Sequence, residues 1–186
     1  MPNGQSRVTA PYIPDGNPDN TEVSLSTTKI PGDYTFFNPG ELGCAFDING
    51  KVYENVIIDS GCTSANTVGV VTANQLLFWK NKAARIVTND IRQCVVPSDP
   101  ASWVSGIARK TVTTVGAGGT MVSQLKQGAN IPVVAGTAAL GPVVADTTAN
   151  TARVVTVTGT RPVIGIARVA DSGGVAYVDV NIPLLS

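Results

Sequence analysis

One block of sequence occurs twice in the second half of the chain, and it limits the possible folds more than any other feature. Ala84-Arg85-Ile86-Val87-Thr88 is followed by Trp103-Val104-Ser105-Gly106-Ile107-Ala108-Arg109. Ala152-Arg153-Val154-Val155-Thr156 is followed by Pro162-Val163-Ile164-Gly165-Ile166-Ala167-Arg168. After each Gly-Ile-Ala-Arg the chain reaches a Gly-Gly pair, Gly118-Gly119 and Gly173-Gly174, and then an apolar run, Thr120-Met121-Val122 and Val175-Ala176-Tyr177-Val178. Matched order, with the longer Pro97–Pro100 loop in the first copy, describes one small β unit used twice.

The rest of the chain supports a mainly β protein. Cys44 to Ile48 alternates, Asn49-Gly50 marks a two-residue type I′ turn, and Lys51 to Ile58 continues as a strand. Val68 to Val71 is a further short strand or bend. Ala73 to Trp79 fits either a helical turn or a strand, because an apolar run this short has no decisive period. In the second copy, segments 131–134, 141–145, 153–157, 163–169 and 175–182 read as five short strands rich in Val and Thr. Val178, Val180 and Ile182 alternate with Asp179 and Asn181, which marks one buried face and one wet face. The expected fold is all-β: two similar small barrel- or sandwich-like modules, residues 42–128 and 129–186, behind an extended N-terminal arm, residues 1–41.

The arm is set apart by Pro2, Pro11, Pro14, Pro18, Pro31 and Pro39 among Asn, Gly, Ser and Thr. Such a segment favours extended backbone and is either a loose tail or an arm ordered by docking on a neighbour. Thr9 to Ile13 and Thr21 to Thr28 are the stretches best suited to adding a strand to a neighbour's sheet edge.

Composition narrows the chemistry. The chain has 186 residues, no histidine, 14% charged residues and a formal net charge of zero. Lack of histidine removes the usual general base and the commonest zinc ligand. Zero net charge without a basic block argues against nucleic-acid binding. No apolar h-region opens the chain and no run of about 18 apolar residues exists, so the expectation is a soluble protein made in the cytoplasm, without membrane contact. Cys44, Cys62 and Cys94 lie far apart and read as buried free thiols, with a Cys44–Cys62 bridge left open. So little surface charge favours self-association unless a partner covers the surface.

Ile57-Ile58-Asp59-Ser60-Gly61 resembles the signature of retroviral-type aspartic proteases, which would require a homodimer pairing two Asp59 carboxylates. The same residues fit a turn after a strand, with Asp59 capping its own loop and Gly61 supplying positive φ. Gly116 to Gly119 reads as a turn, since no Lys-Ser/Thr follows it. Asp15, Asp19 and Glu22 lack the glycine and flanking helices of a calcium loop. Phe78, Trp79 and Trp103 are either core or interface anchors. No cofactor or metal is expected.

Ala73 to Lys82, Ile86 to Asp90 and Gly106 to Arg109 resemble small head proteins of tailed bacteriophages, and Ile131 to Gly136 with Pro162 to Ala167 carry the likeness of the second unit. The second unit looks like the β module of phage head decoration (cement) proteins, and the likeness spans roughly residues 50 to 182. The resemblance implies a non-enzymatic virion protein on the outer capsid surface, a symmetric oligomer such as a trimer, which holds subunits of the major capsid protein together. The expected partner interface comprises Val8, Thr9, Tyr12, Ile13, Val23, Leu25, Phe36 and Phe37 of the arm, with Arg109 and Arg168. A host-surface adhesin is the other non-catalytic alternative.

Overall fold

A computed structural model describes residues 22–24 (as backbone), 42, 45–64, 67–113, 115, 117–147, 152–157 and 159–183. Among them there is no α-helix; 3-10 turns cover Ile91–Gln93 and Pro100–Trp103. The strands are β1 (Glu22–Ser24), β2 (Ala45–Ile48), β3 (Lys51–Ile58), β4 (Thr63–Ser64), β5 (Thr67–Val68), β6 (Leu76–Asn81) and β7 (Ile86–Thr88). They continue as β8 (Val104–Ala108), β9 (Thr120–Val134), β10 (Gly141–Ala145), β11 (Val154–Thr156), β12 (Val163–Ser172) and β13 (Val175–Asn181). All but the β4–β5 pair join one eleven-stranded sheet, in which β3 and β7 run parallel.

The Asn49-Gly50 turn forms as its residue types require, with φ of 55° and 72° and the Gly50 N–H donating to Asp47 Oδ1 at 3.1 Å. Within segment 73–79, residues 76–79 form the start of strand β6. Its unbroken apolar run follows from burial on both sides: Leu77 and Trp79 enter one hydrophobic cluster, Leu76 and Phe78 another.

Connectivity closes the sheet on itself. The path β9–β8–β6–β7–β3 returns to β9, because β3 also pairs with β9 from Val52 to Ile58. The path β9–β13–β12–β10–β11 returns through a parallel bridge between Val154 and Ala135, one residue beyond β9. β9 serves both rings and runs through the expected boundary at residues 128–129 as a single strand of 15 residues. Isolated strands at 120–122 and 131–134 were the sequence expectation. Gly128 and Asn130 (φ 54°) mark where the chain leaves the first ring and enters the second.

The two paths repeat in detail. Ile58 faces Val87 as Ala135 faces Val154, and Asp59 and Gly136 donate N–H to Val87 and Val154 carbonyls, both at 2.8 Å. Ala108 pairs with Gln124 as Ala167 pairs with Val178. The register shift at Leu77/Phe78 recurs at Val143/Val144. The Gly-Ile-Ala-Arg blocks therefore align as read. The Ala-Arg blocks shift by one: Arg85 matches Ala152, both at positive φ (55° and 49°), and Val87 matches Val154. A run of β-branched residues can slide by one in sequence, but in a sheet that slip exchanges the faces.

Val56, Ile58, Leu77, Trp79, Val87, Ala108 and Val122 form the cluster inside the first ring. Ile131, Val133, Val143, Ala145, Val154, Ala167, Ala176, Val178 and Val180 belong to the second ring's cluster. Leu76, Phe78, Ile107 and Leu125 project from the outside of the first ring into that same cluster and are fully buried. At about 1.5–3 kcal/mol for each side chain, they weld the two rings into one body.

Candidate functional site

Of the interface residues expected from sequence, Val8, Thr9, Tyr12, Ile13, Leu25, Phe36 and Phe37 lie outside the described residues, as do Asp15, Asp19 and Cys44. Val23 sits in β1, opposite Met121 of β9, with Glu22 opposite Val122 and Ser24 opposite Thr120. Within the second stretch expected to pair with a neighbour, residues 22–24 instead add a strand to the chain's own β9. Arg109 and Arg168 occupy matching places but have different partners. Arg109 Nη1 donates to Asn74 Oδ1 at 2.7 Å, while Arg168 Nε meets Asp179 Oδ2 at 2.6 Å on a largely exposed surface.

Asp59 occupies a turn. Its Oδ2 accepts from the Gly61 N–H at 2.9 Å and from Lys80 Nζ at 2.8 Å. Gly61 does not adopt positive φ, contrary to the expectation. Its missing side chain is what matters, because a Cβ there would stand 2.9 Å from both Asp59 Oδ2 and Gln93 Oε1. Cys62 and Cys94 are buried free thiols. Burial, reinforced by the Asp59 charge, pushes the Cys62 thiol up to about 12. Iodoacetamide at pH 8 is expected to spare Cys62 in the folded protein and label it after denaturation; fast labelling of the native protein would contradict its burial.

The most unusual chemistry lies inside the first ring. Glu54, Ser105, Gln124 and Lys126 are all buried, at 1%, 0%, 0% and 0% exposure. Glu54 Oε1 accepts from Arg85 Nη1 at 2.7 Å. Glu54 Oε2 accepts from Gln124 Nε2 at 3.1 Å and faces Lys126 Nζ at 3.4 Å. Ser105 Oγ donates to Gln124 Oε1 at 2.8 Å, and Lys126 Nζ also donates to the Ser105 carbonyl. The ammonium stands 5.6 Å from the Trp79 ring centroid. Burial drives the Lys126 ammonium below the usual lysine range, opposed by Glu54.

The second ring shows that the scaffold does not need these groups. By register, Glu54, Ser105, Gln124 and Lys126 correspond to Ile131, Ile164, Val178 and Val180, all buried and apolar. The sequence reading singled out none of the four polar residues.

A second feature is the outer face of the second ring. Pro142 pairs with Ile166, which pairs with Asp179; Val169 pairs with Tyr177, which pairs with Pro132. Directly opposed residues share a face, as do Tyr177 and Asp179 two apart. Ile166, Val169 and Tyr177 are 44%, 49% and 42% exposed, and the Arg168–Asp179 ion pair lies among them. By register, Pro142, Ile166 and Asp179 correspond to Leu76, Ile107 and Leu125 of the first ring, which are fully buried against the second ring, while Val169 and Tyr177 correspond to Lys110 and Ser123. Comparison with models of known protein families, with curated proteins and with solved structures finds no match.

Proposed function

We propose that the protein is a non-catalytic virion component, a head decoration protein that docks on the outer capsid surface as an oligomer, with three copies the expected number, and ties neighbouring major-capsid-protein subunits together. The fold is read as two copies of one five-stranded barrel, sharing β9, behind an N-terminal arm. The observation that carries the functional reading is the exposed apolar face at Ile166, Val169 and Tyr177. An apolar patch of this kind on a soluble protein marks a contact surface, and Ile107, the counterpart of Ile166 on the first barrel, is already used for packing. Few charges, no histidine and the resemblance to phage head proteins support the same reading. The pairing of β1 with β9 illustrates how arm segments add strands to this sheet.

Mixing purified protein with capsids that lack it, followed by co-sedimentation, tests the proposal. Stoichiometric binding is expected, and binding to glycans or cells without binding to capsids would favour the adhesin instead. Val169→Asp with Tyr177→Asp is expected to leave the fold intact and weaken capsid binding by about 30-fold or more, the loss of one hot spot. Unchanged affinity would remove this face from the interface. Asp59→Asn is expected to bind as well as the unaltered protein, with no peptide cleavage by either; loss of a cleavage activity in the variant would support the aspartic-protease alternative.

A further inference from the structure

The geometry points to a self-modification site in the first barrel, where Lys126 and Gln124 join in an isopeptide bond with Glu54 as the proton shuttle and the Ser105 hydroxyl as hydrogen-bond donor to the Gln124 carbonyl oxygen. One carboxylate oxygen, Glu54 Oε2, touches both the amine that would attack and the amide nitrogen that would leave, at 3.4 and 3.1 Å. Ser105 Oγ–H already sits on the amide oxygen, where negative charge develops during attack. Gln124 and Lys126 are two apart on β9 and point into the same barrel, so their side chains run side by side. Gly106 keeps the space free, since a Cβ there would lie 2.7 Å from Gln124 Cδ.

The chemistry needs no external reagent. Glu54 takes one proton from the Lys126 ammonium, and the freed lone pair attacks Gln124 Cδ. In the tetrahedral adduct Glu54 returns that proton to Nε2, the Cδ–Nε2 bond breaks, and Glu54 accepts the remaining excess proton from Nζ. Ammonia then takes this proton from Glu54 and leaves as ammonium. The sum is Lys126 ammonium plus Gln124 carboxamide giving a secondary amide plus NH4+, with no change of oxidation state. Burial favours both ends of the reaction. It makes the neutral amine accessible, and the product removes a charge from a dry interior. The second barrel, with Val178 and Val180 in these places, has no such chemistry.

Mass spectrometry of the purified full-length chain decides the matter. The expected intact mass is about 17 Da below that of the sequence, the mass of one ammonia. Trypsin is expected to leave the chain uncut after Lys126, so that the loss maps to one peptide of residues 111–153. Full sequence mass with cleavage after Lys126 would overturn the proposal, as would a loss that maps elsewhere, such as Asn49-Gly50. Glu54→Gln keeps the shape of the side chain and is expected to restore both the full mass and the cleavage. Persistence of the loss in that variant would remove Glu54 from the reaction.

Discussion

Glu54→Ala is expected to destabilise the protein by about 3–5 kcal/mol, because it leaves Lys126 buried without its carboxylate and Gln124 Nε2 without its acceptor. Arg85 reaches the same carboxylate from a more exposed position and relaxes into water at little cost. The second ring of strands supplies the control. Glu54→Ile, Ser105→Ile, Gln124→Val and Lys126→Val together reproduce Ile131, Ile164, Val178 and Val180. That fourfold variant is expected to recover most of the loss and to match or exceed the stability of the chain in which Lys126 and Gln124 are not joined, since replacing a buried ion pair with packed apolar groups is often neutral or favourable. Urea denaturation midpoints compare the three proteins. A fourfold variant no more stable than Glu54→Ala would contradict the equivalence of the two rings.

Gly165→Ala is the other large effect. A Cβ at Gly165 would stand 2.3 Å from the Asp179 carbonyl oxygen and 2.7 Å from Val178 Cγ1. The first obstacle is backbone in the neighbouring strand, so relief requires β12 and β13 to separate where they pair. We expect a loss of about 3 kcal/mol, at the upper end of overpacking effects. Gly106→Ala occupies the matching place in the first barrel but meets the Gln124 side chain, 2.6 Å from its Oε1. That side chain can yield by giving up hydrogen bonds, so a smaller loss of about 1–2 kcal/mol is expected. Denaturation of both variants checks the order. A neutral Gly165→Ala would contradict the strand register around the repeated block.

The glycines explain why the duplication was legible in the sequence. Gly106 and Gly165 are each fixed by close approach of a neighbouring strand, so the Gly-Ile-Ala-Arg block kept its register in both copies. Alternation in β13 and the positive-φ demand at Asn49-Gly50 were legible for the same reason, being local requirements of the backbone. The long β9 was hidden because Gln124, Lys126 and Gln127 break the apolar run that would advertise a core strand. Those residues are polar yet lie in the β9 ladder, and the facing Glu54, with the Ser105 carbonyl and the Trp79 ring, makes Lys126 tolerable inside. Parity offered a clue. Glu54 shares its face with Val56 and Ile58, and Gln124 and Lys126 share theirs with Val122. Polar residues on an otherwise core face were the signal for the buried cluster. The apolar patch of the second barrel was hidden differently, because Ile166 and Ile107 look the same in sequence and only the packing of one barrel against the other buries Ile107.

Electron cryomicroscopy of capsids reconstituted with the purified protein tests the functional claim most directly. Density for the two barrels is expected on the outer shell surface, bridging capsid subunits, with the face of Ile166, Val169 and Tyr177 turned towards the shell or a neighbouring copy. Capsids that remain bare at saturating protein, or barrels found with that face open to solvent, would contradict it.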